Sequence, residues 1–248
     1  PPYELRTLHE VIKYSSNIGA AKIADRIGPK ILYDTLRNFG FGEKTGVDFP
    51  GETAGRIRHW QSWRKIDHAT IAFGQGISVS AIQLITALSA IANDGVLMKP
   101  RIVGAVKNPD GSTLKRFDPE MRRQAISPAI AEKVRVMMRS VTDADGTGPK
   151  AAPEGYPVCG KTGTAQIINS DGTYQNCDYN ALFMGFAPAR APELAVLVVV
   201  EAPHGNHYGG IVAAPAFREI IRKSFNYMDI SPVVSQQTAR EKGGEPPA

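Results

Sequence analysis

Lys161-Thr162-Gly163-Thr164 is the stretch whose residue types and spacing carry the most chemistry, and two readings compete for it. Forwards from Gly155, the run ending Gly160-Lys161-Thr162 fits G-x-x-x-x-G-K-[ST], a loop whose amides and lysine cradle phosphates. As the start of a β-strand, the same residues form an edge that binds a carboxylate. Lys161 supplies a cation, and Thr162 and Thr164 offer hydroxyls at alternate positions of one strand face. Gly163 lets a substrate approach the backbone closely, and an extended peptide can add to such an edge by strand-type hydrogen bonds. The bland alternative is a strand start with a solvated lysine.

The flanks decide. A phosphate loop leaves a strand and runs straight into a helix, whose N-terminal amides hold the anion. Upstream, Lys150 to Pro157 carry turn signals and no apolar strand; downstream, Thr164 to Asn169 and Asp171-Gly172 read as a strand entering a hairpin. The apolar run Leu194–Glu201 resembles a strand ending in a magnesium-side acid, but any buried strand has that appearance. The strand reading prevails.

Ser15-Ser16-Asn17 places a hydroxyl and an amide two residues apart at a break between helical segments. Serine and asparagine are also favoured helix caps, so residue type leaves both roles open. Glu201, His204 and His207 lie on a Pro/Gly loop and read as loop residues; no metal site and no cofactor are expected. Trp60 and Trp63 are either a sugar-stacking platform or the packing of a loop.

These side chains need elements to position them. Leu8, Val11, Ile12, Ser15 and Ile18 share one helical face, with Gly19 and the Ser-Ser-Asn run as the interruption and a second helix running to Ile27. Pro29 and Gly40 bracket a third helix, and residues 40–68 read as loop with short extended pieces. Ser80-Ala-Ile-Gln83 is a capping box opening a helix that stops before Gly95. Residues 100–126 read as a hairpin turning at Asp110-Gly111, and Ser127-Pro128 starts a helix striped by Ile130, Val134, Met137, Met138 and Val141. Strands are predicted over 158–169, 179–187 and 193–201, linked as an antiparallel meander. A last helix over 212–228 turns Phe217, Ile220, Ile221 and Phe225 inward. The pattern is an α+β fold, an antiparallel sheet flanked by helices, over residues 1–228, with 229–248 a disordered polar tail.

The chain has 248 residues, enough for one large or two small domains, and a net charge of +5. That charge suits an anionic substrate without pointing to nucleic acid. Cys159 and Cys177 have no metal spacing; a disulfide and two separate thiols both stay open.

Taken together, S-x-N as Ser15-Ser16-Asn17 followed by K-T-G-T at 161–164 resembles the transpeptidase domain of penicillin-binding proteins. Further likeness lies in Phe39 to Gly46, Phe73-Gly-Gln-Gly-Ile-Ser78, Ile91 to Gly95, Gly146-Thr147, Met184 to Pro188 and Tyr208 to Phe217, in the family's order and over all but the tail. The S-S-N-x-G segment is most similar to that of the monofunctional high-molecular-weight, division-associated class. The resemblance implies a β-lactamase/transpeptidase-like fold and serine acyl transfer on D-Ala-D-Ala stem peptides, with β-lactams as mimics. It implies that Ser15 relays a proton, Asn17 holds the substrate amide, and Lys161 supplies positive potential. Thr162 and Thr164 would bind the terminal carboxylate, and the Thr164 N–H would form half of an oxyanion hole. It also implies a bacterial envelope location, on the periplasmic face of the inner membrane, and partners among division or cell-wall synthesis proteins.

One departure matters. The family's nucleophile lies in S-x-x-K, upstream of S-x-N, with serine and lysine one helical turn apart. Ser62-Trp-Arg-Lys65 and Ser112-Thr-Leu-Lys115 match the letters but follow S-x-N and lie outside predicted helices. The expectation is a C-terminal portion of the domain, cut after the nucleophile's helix, with the membrane anchor in the missing part. A non-catalytic β-lactam sensor or division-complex module of the same fold is the alternative.

Overall fold

The computed structural model describes residues 5–167, 173 and 178–233. It divides into two compact units, residues 1–138 and 139–248.

The first unit is mainly helical. Helix α1 (Leu8–Lys13) opens with a reciprocal capping box between Thr7 and Glu10. It ends at Tyr14, and Ser15 adopts a positive φ of 53°. Helix α2 (Asn17–Ile27) then starts from Ser16, whose hydroxyl accepts from Gly19 N at 3.1 Å. Gly19 is therefore not the interruption expected. It lies inside α2, where a Cβ would stand 2.5 Å from Val11 Cγ2, so its small size lets α1 and α2 approach. Ser16→Ala is expected to cost about 1 kcal/mol in urea unfolding through loss of the cap. Ser15→Gly should be near neutral, because relief of about 1–2 kcal/mol of left-handed strain offsets glycine's backbone entropy. Equal costs at 15 and 16 would overturn that division of labour.

Helix α3 (Pro29–Asn38) follows with proline at its first position, and α4 (Lys65–Ile71) forms within the segment expected to be loop. Arg58, Arg64 and Asp67 fix the start of α4: Asp67 accepts from Arg64 N at 2.9 Å and pairs with Arg58 at 2.9 Å. Helix α5 (Ala81–Ala92) carries the predicted Ser80–Gln83 capping box. Gln83 is also buried, and its Nε2 donates to Glu43 O and Ala54 O at 2.8 and 2.9 Å, fastening the preceding loop. Strand β1 (Val96–Met98) pairs with β4 (Met121–Gln124), an arrangement the sequence reading missed. The predicted hairpin is β2 (Ala105–Lys107) with β3 (Thr113–Arg116). In α6 (Pro128–Arg139) the buried residues are Ala131 and Met138, while Ile130 of the expected stripe is exposed.

The second unit is the predicted meander. Strands β5 (Cys159–Gln166), β6 (Tyr179–Ala187) and β7 (Leu194–Glu201) form one antiparallel sheet in that order. The turn expected at Asp171-Gly172, and Cys177, lie outside the described residues. Cys159 is buried, its sulfur 4.0 Å from Ala189 O. The short α7 (Gly209–Val212) leads into α8 (Ala214–Tyr227). Phe217, Ile221 and Phe225 of α8 pack with Phe183, Val158 and Tyr156 as the core, whereas Ile220 faces solvent. Of the polar tail expected from Asp229, residues 229–233 are described and tied down: Tyr156 Oη donates to Ile230 O, and Val233 N to Gly155 O. Residues 234–248 lie outside the described set. No described helix is long and apolar enough to cross a membrane.

Candidate active site

Strand β5 begins in the core and emerges along its length. Cys159 and Gly160 are buried, Lys161 to Gly163 are half-buried, and Thr164 is exposed. The cation therefore sits where the strand leaves the protein interior. Extended backbone through Gln166 excludes the phosphate-loop reading, since Lys161 is paired opposite Met184 within a sheet and strand, not helix, runs on directly from it. Among the described residues β5 pairs only with β6, leaving every second backbone N–H and C=O of its other edge turned outward.

Residues opposite one another in an antiparallel ladder share a face. Lys161 thus lies beside Met184, and Gly163 beside Leu182, while Thr162 and Thr164 share the other face with Phe183 and Ala181. The Lys161 amine donates to Thr162 O at 3.0 Å. Burial, which disfavours the charged form, pushes it down to about 8. Between about pH 8 and the ordinary lysine range the unfolded chain binds the extra proton. The burial cost is therefore complete below pH 8 and vanishes above the unfolded value. Competitive amine labelling with peptide mapping should give Lys161 an apparent pKa near 8; an ordinary lysine value would refute its shielding. A bound carboxylate must raise that value, so carboxylate binding should weaken as pH rises from 7 to 9.

The hydroxyls are differently engaged. Thr162 Oγ1 donates to Thr147 Oγ1 at 3.0 Å, and Thr164 Oγ1 makes a long 3.5 Å contact to His207 O. Thr147 is a residue the sequence reading quoted only for its resemblance. Its signal was the Gly146-Thr147 segment, which Asp143 O and Val141 O hold through the amides of Gly146 and Gly148. His207 stacks on Tyr179 with centroids 4.3 Å apart, and no cluster of metal-ligating side chains forms among the described residues. Gly163 has a reason within the chain. A Cβ there would come within 2.7 Å of Leu182 Cδ1, so Leu182 fills the space expected to admit a ligand on that face.

Lys161, Thr162, Gly163 and Thr164 are thus brought together on one strand of the second unit, whereas Ser15 and Asn17 belong to the first. Both are exposed, Ser15 in the left-handed region and Asn17 as the first residue of α2, while Ser16 is the helix cap. A polar residue held at positive φ without a glycine is a strained position, and such positions gather at functional sites. Neither S-x-x-K match forms a helical pair. Ser62 ends a short 3₁₀ turn and donates to His59 O, with extended Trp63 and Arg64 before Lys65 starts α4. Ser112 donates to Asp110 in the β2–β3 turn, and Lys115 lies over the Phe117 ring. Trp63 packs within its own unit, donating to Arg58 O and contacting Tyr33 and His68.

Residues 2–222 match the family described as penicillin binding protein transpeptidase domain. The probable peptidoglycan D,D-transpeptidase PenA of Neisseria flavescens is 37% identical over 232 residues, covering 93% of this chain and 55% of PenA. Stage V sporulation protein D of Bacillus subtilis is 40% identical over 234 residues, covering 94% and 36%. A crystal structure of penicillin binding protein 3 from Mycobacterium tuberculosis, complexed with ampicillin, superimposes with a TM-score of 0.84 at 37% identity, covering 92% of this chain and 52% of that one. The chain therefore spans between about a third and just over half the length of the curated relatives named. With the family match running over residues 2–222, nearly the whole chain, the protein belongs to the penicillin-binding protein transpeptidase domain family.

Proposed function

We propose that this chain is the ligand-binding portion of a peptidoglycan D,D-transpeptidase, which takes D-Ala-D-Ala stem peptides and is acylated by β-lactams. The observation that carries the reading is the open edge of β5, begun by a half-buried lysine and followed by an exposed threonine. A stem peptide ends in an extended backbone and a carboxylate. The edge offers backbone partners to the first and Lys161 with Thr164 to the second. Thr162 joins by exchanging its bond to Thr147 for one to the carboxylate. Ser15 and Asn17 supply the proton relay and the amide contact. The acylated serine and its lysine lie on a helix in a segment preceding Pro1, in a protein of the bacterial envelope whose anchor holds it at the periplasmic face of the inner membrane.

Incubating the full-length protein with a fluorescent penicillin should give a covalent adduct that survives denaturing electrophoresis, together with release of D-alanine from a stem-peptide analogue. An adduct without D-alanine release would instead assign the protein to β-lactam sensing. Absence of both would remove the proposal.

A further inference from the structure

We propose that Thr147 is a positioning residue for the ligand's carboxylate, a role that rests on the transpeptidase reading and deepens it at one subsite. It acts through Thr162, as the second of two coupled hydroxyls. Thr162 Oγ1 donates to Thr147 Oγ1 at 3.0 Å. A hydroxyl has a single proton, so Thr162 can donate to a carboxylate only by withdrawing that proton from Thr147. Two oxygens left facing each other at this distance repel unless the second supplies a proton. The Thr147 hydroxyl rotates and can supply it, so the contact persists with its direction reversed. A hydroxyl that accepts such a bond is also the stronger donor. Thr147 thereby tightens the hold of Thr162 on the anion without touching the ligand.

The pair works only if Thr147 cannot drift, and three glycines hold it. None of them has a positive φ, so their use is close approach and not backbone freedom. A Cβ at Gly146 would stand 2.3 Å from Val141 O, one at Gly148 2.6 Å from Phe183 Cε2, and one at Gly210 2.1 Å from Thr147 O itself. The turn is therefore seated on the preceding backbone, on the ring behind β5 and beneath α7. Cβ atoms at Gly148 and Gly210 would also lie 3.5 and 3.4 Å from Thr162 Cγ2, so the Thr162 methyl faces those glycines while its hydroxyl faces Thr147. A β-branched side chain packed in this way keeps one χ1. What moves on binding is protons, not heavy atoms.

The test is stopped-flow acylation of the full-length protein by benzylpenicillin and by its methyl ester, which lacks the carboxylate. The readout is the ratio of the two second-order constants. Thr147→Val keeps the shape and removes the hydroxyl. It should lower the acid-to-ester ratio about tenfold, through the apparent dissociation constant of the acid and not through its limiting acylation rate. Thr147→Ser, which keeps the hydroxyl, should recover most of the ratio. In a Thr162→Val background, Thr147→Val should change the ratio less than about twofold, because its route to the ligand is gone. Gly210→Ala, which forces the turn away from Thr162, should reproduce the loss; if it fails to fold, the threonine variants suffice. Acid and ester falling together would make Thr147 a structural residue only. Failure of serine to rescue, or an undiminished effect in the Thr162→Val background, would equally overturn the proposal. An adduct with unchanged selectivity in Thr147→Val sinks this inference alone, whereas no adduct with either penicillin removes the transpeptidase reading and this inference with it.

Discussion

Lys161→Ala in the full-length protein is expected to slow acylation by a penicillin by about 10²–10³-fold, with the fold intact. The amine stands where β5 leaves the interior, beside Met184 and Leu182, in surroundings that push it down to about 8. At neutral pH it is still mainly protonated, so on the proposed reading it presents a poorly solvated cation to an incoming carboxylate, and low local dielectric strengthens that attraction. Removing it relieves the burial that opposes its charge. The alanine variant should therefore melt at or slightly above the parent temperature while losing its rate. Arginine should restore little, since a planar, forked guanidinium does not reproduce the compact point charge of an ammonium. Stopped-flow acylation kinetics beside thermal melts separate the two quantities. An unchanged rate would withdraw Lys161 from the site altogether.

Phe183→Ala should destabilise the second unit by about 3–5 kcal/mol in denaturant unfolding. Its ring is fully buried, meets Phe217 edge to face at 4.8 Å, and fills space left by two glycines. A Cβ at Gly160 would stand 2.4 Å from Phe183 Cζ, and one at Gly148 2.6 Å from Cε2. Because Phe183 is the partner of Thr162 in the ladder, the cavity opens directly behind β5. Phe183→Leu should cost appreciably less, by keeping part of the volume. A cost below about 1 kcal/mol for alanine would show that the ring is not the support of β5.

The parts legible in the sequence were those governed by local rules. The three strands of the second unit, the Ser80–Gln83 capping box and the Pro29 helix start all follow from period, capping chemistry and proline's fixed φ. Long-range decisions were less visible. The pairing of β1 with β4 joins strands more than twenty residues apart across an intervening hairpin, and three- and four-residue strands leave almost no periodic signal. Helix α4 owes its start to Asp67 gripping Arg58 and Arg64, a constellation that composition hides among charged loop residues. At the site, K-T-G-T announced its strand, but the partner of Thr162 did not announce itself. Thr147 lies fifteen residues away in a glycine-bounded turn, and only the fold brings the two hydroxyls together. Gly163 was read as room for a visitor, whereas its neighbour across the ladder already uses that room.

Among the described residues no strand covers the edge of β5 that faces away from β6. An outward-turned strand edge does not distinguish the peptide proposed as its ligand from the extended segment of a sister molecule, so such an edge is also a seed for self-assembly. The ammonium at its head repels an identical ammonium arriving with another copy. On the proposed reading, ligand binding and colloidal restraint then rest on a single charge, and a purified protein lacking it will be harder to keep in solution.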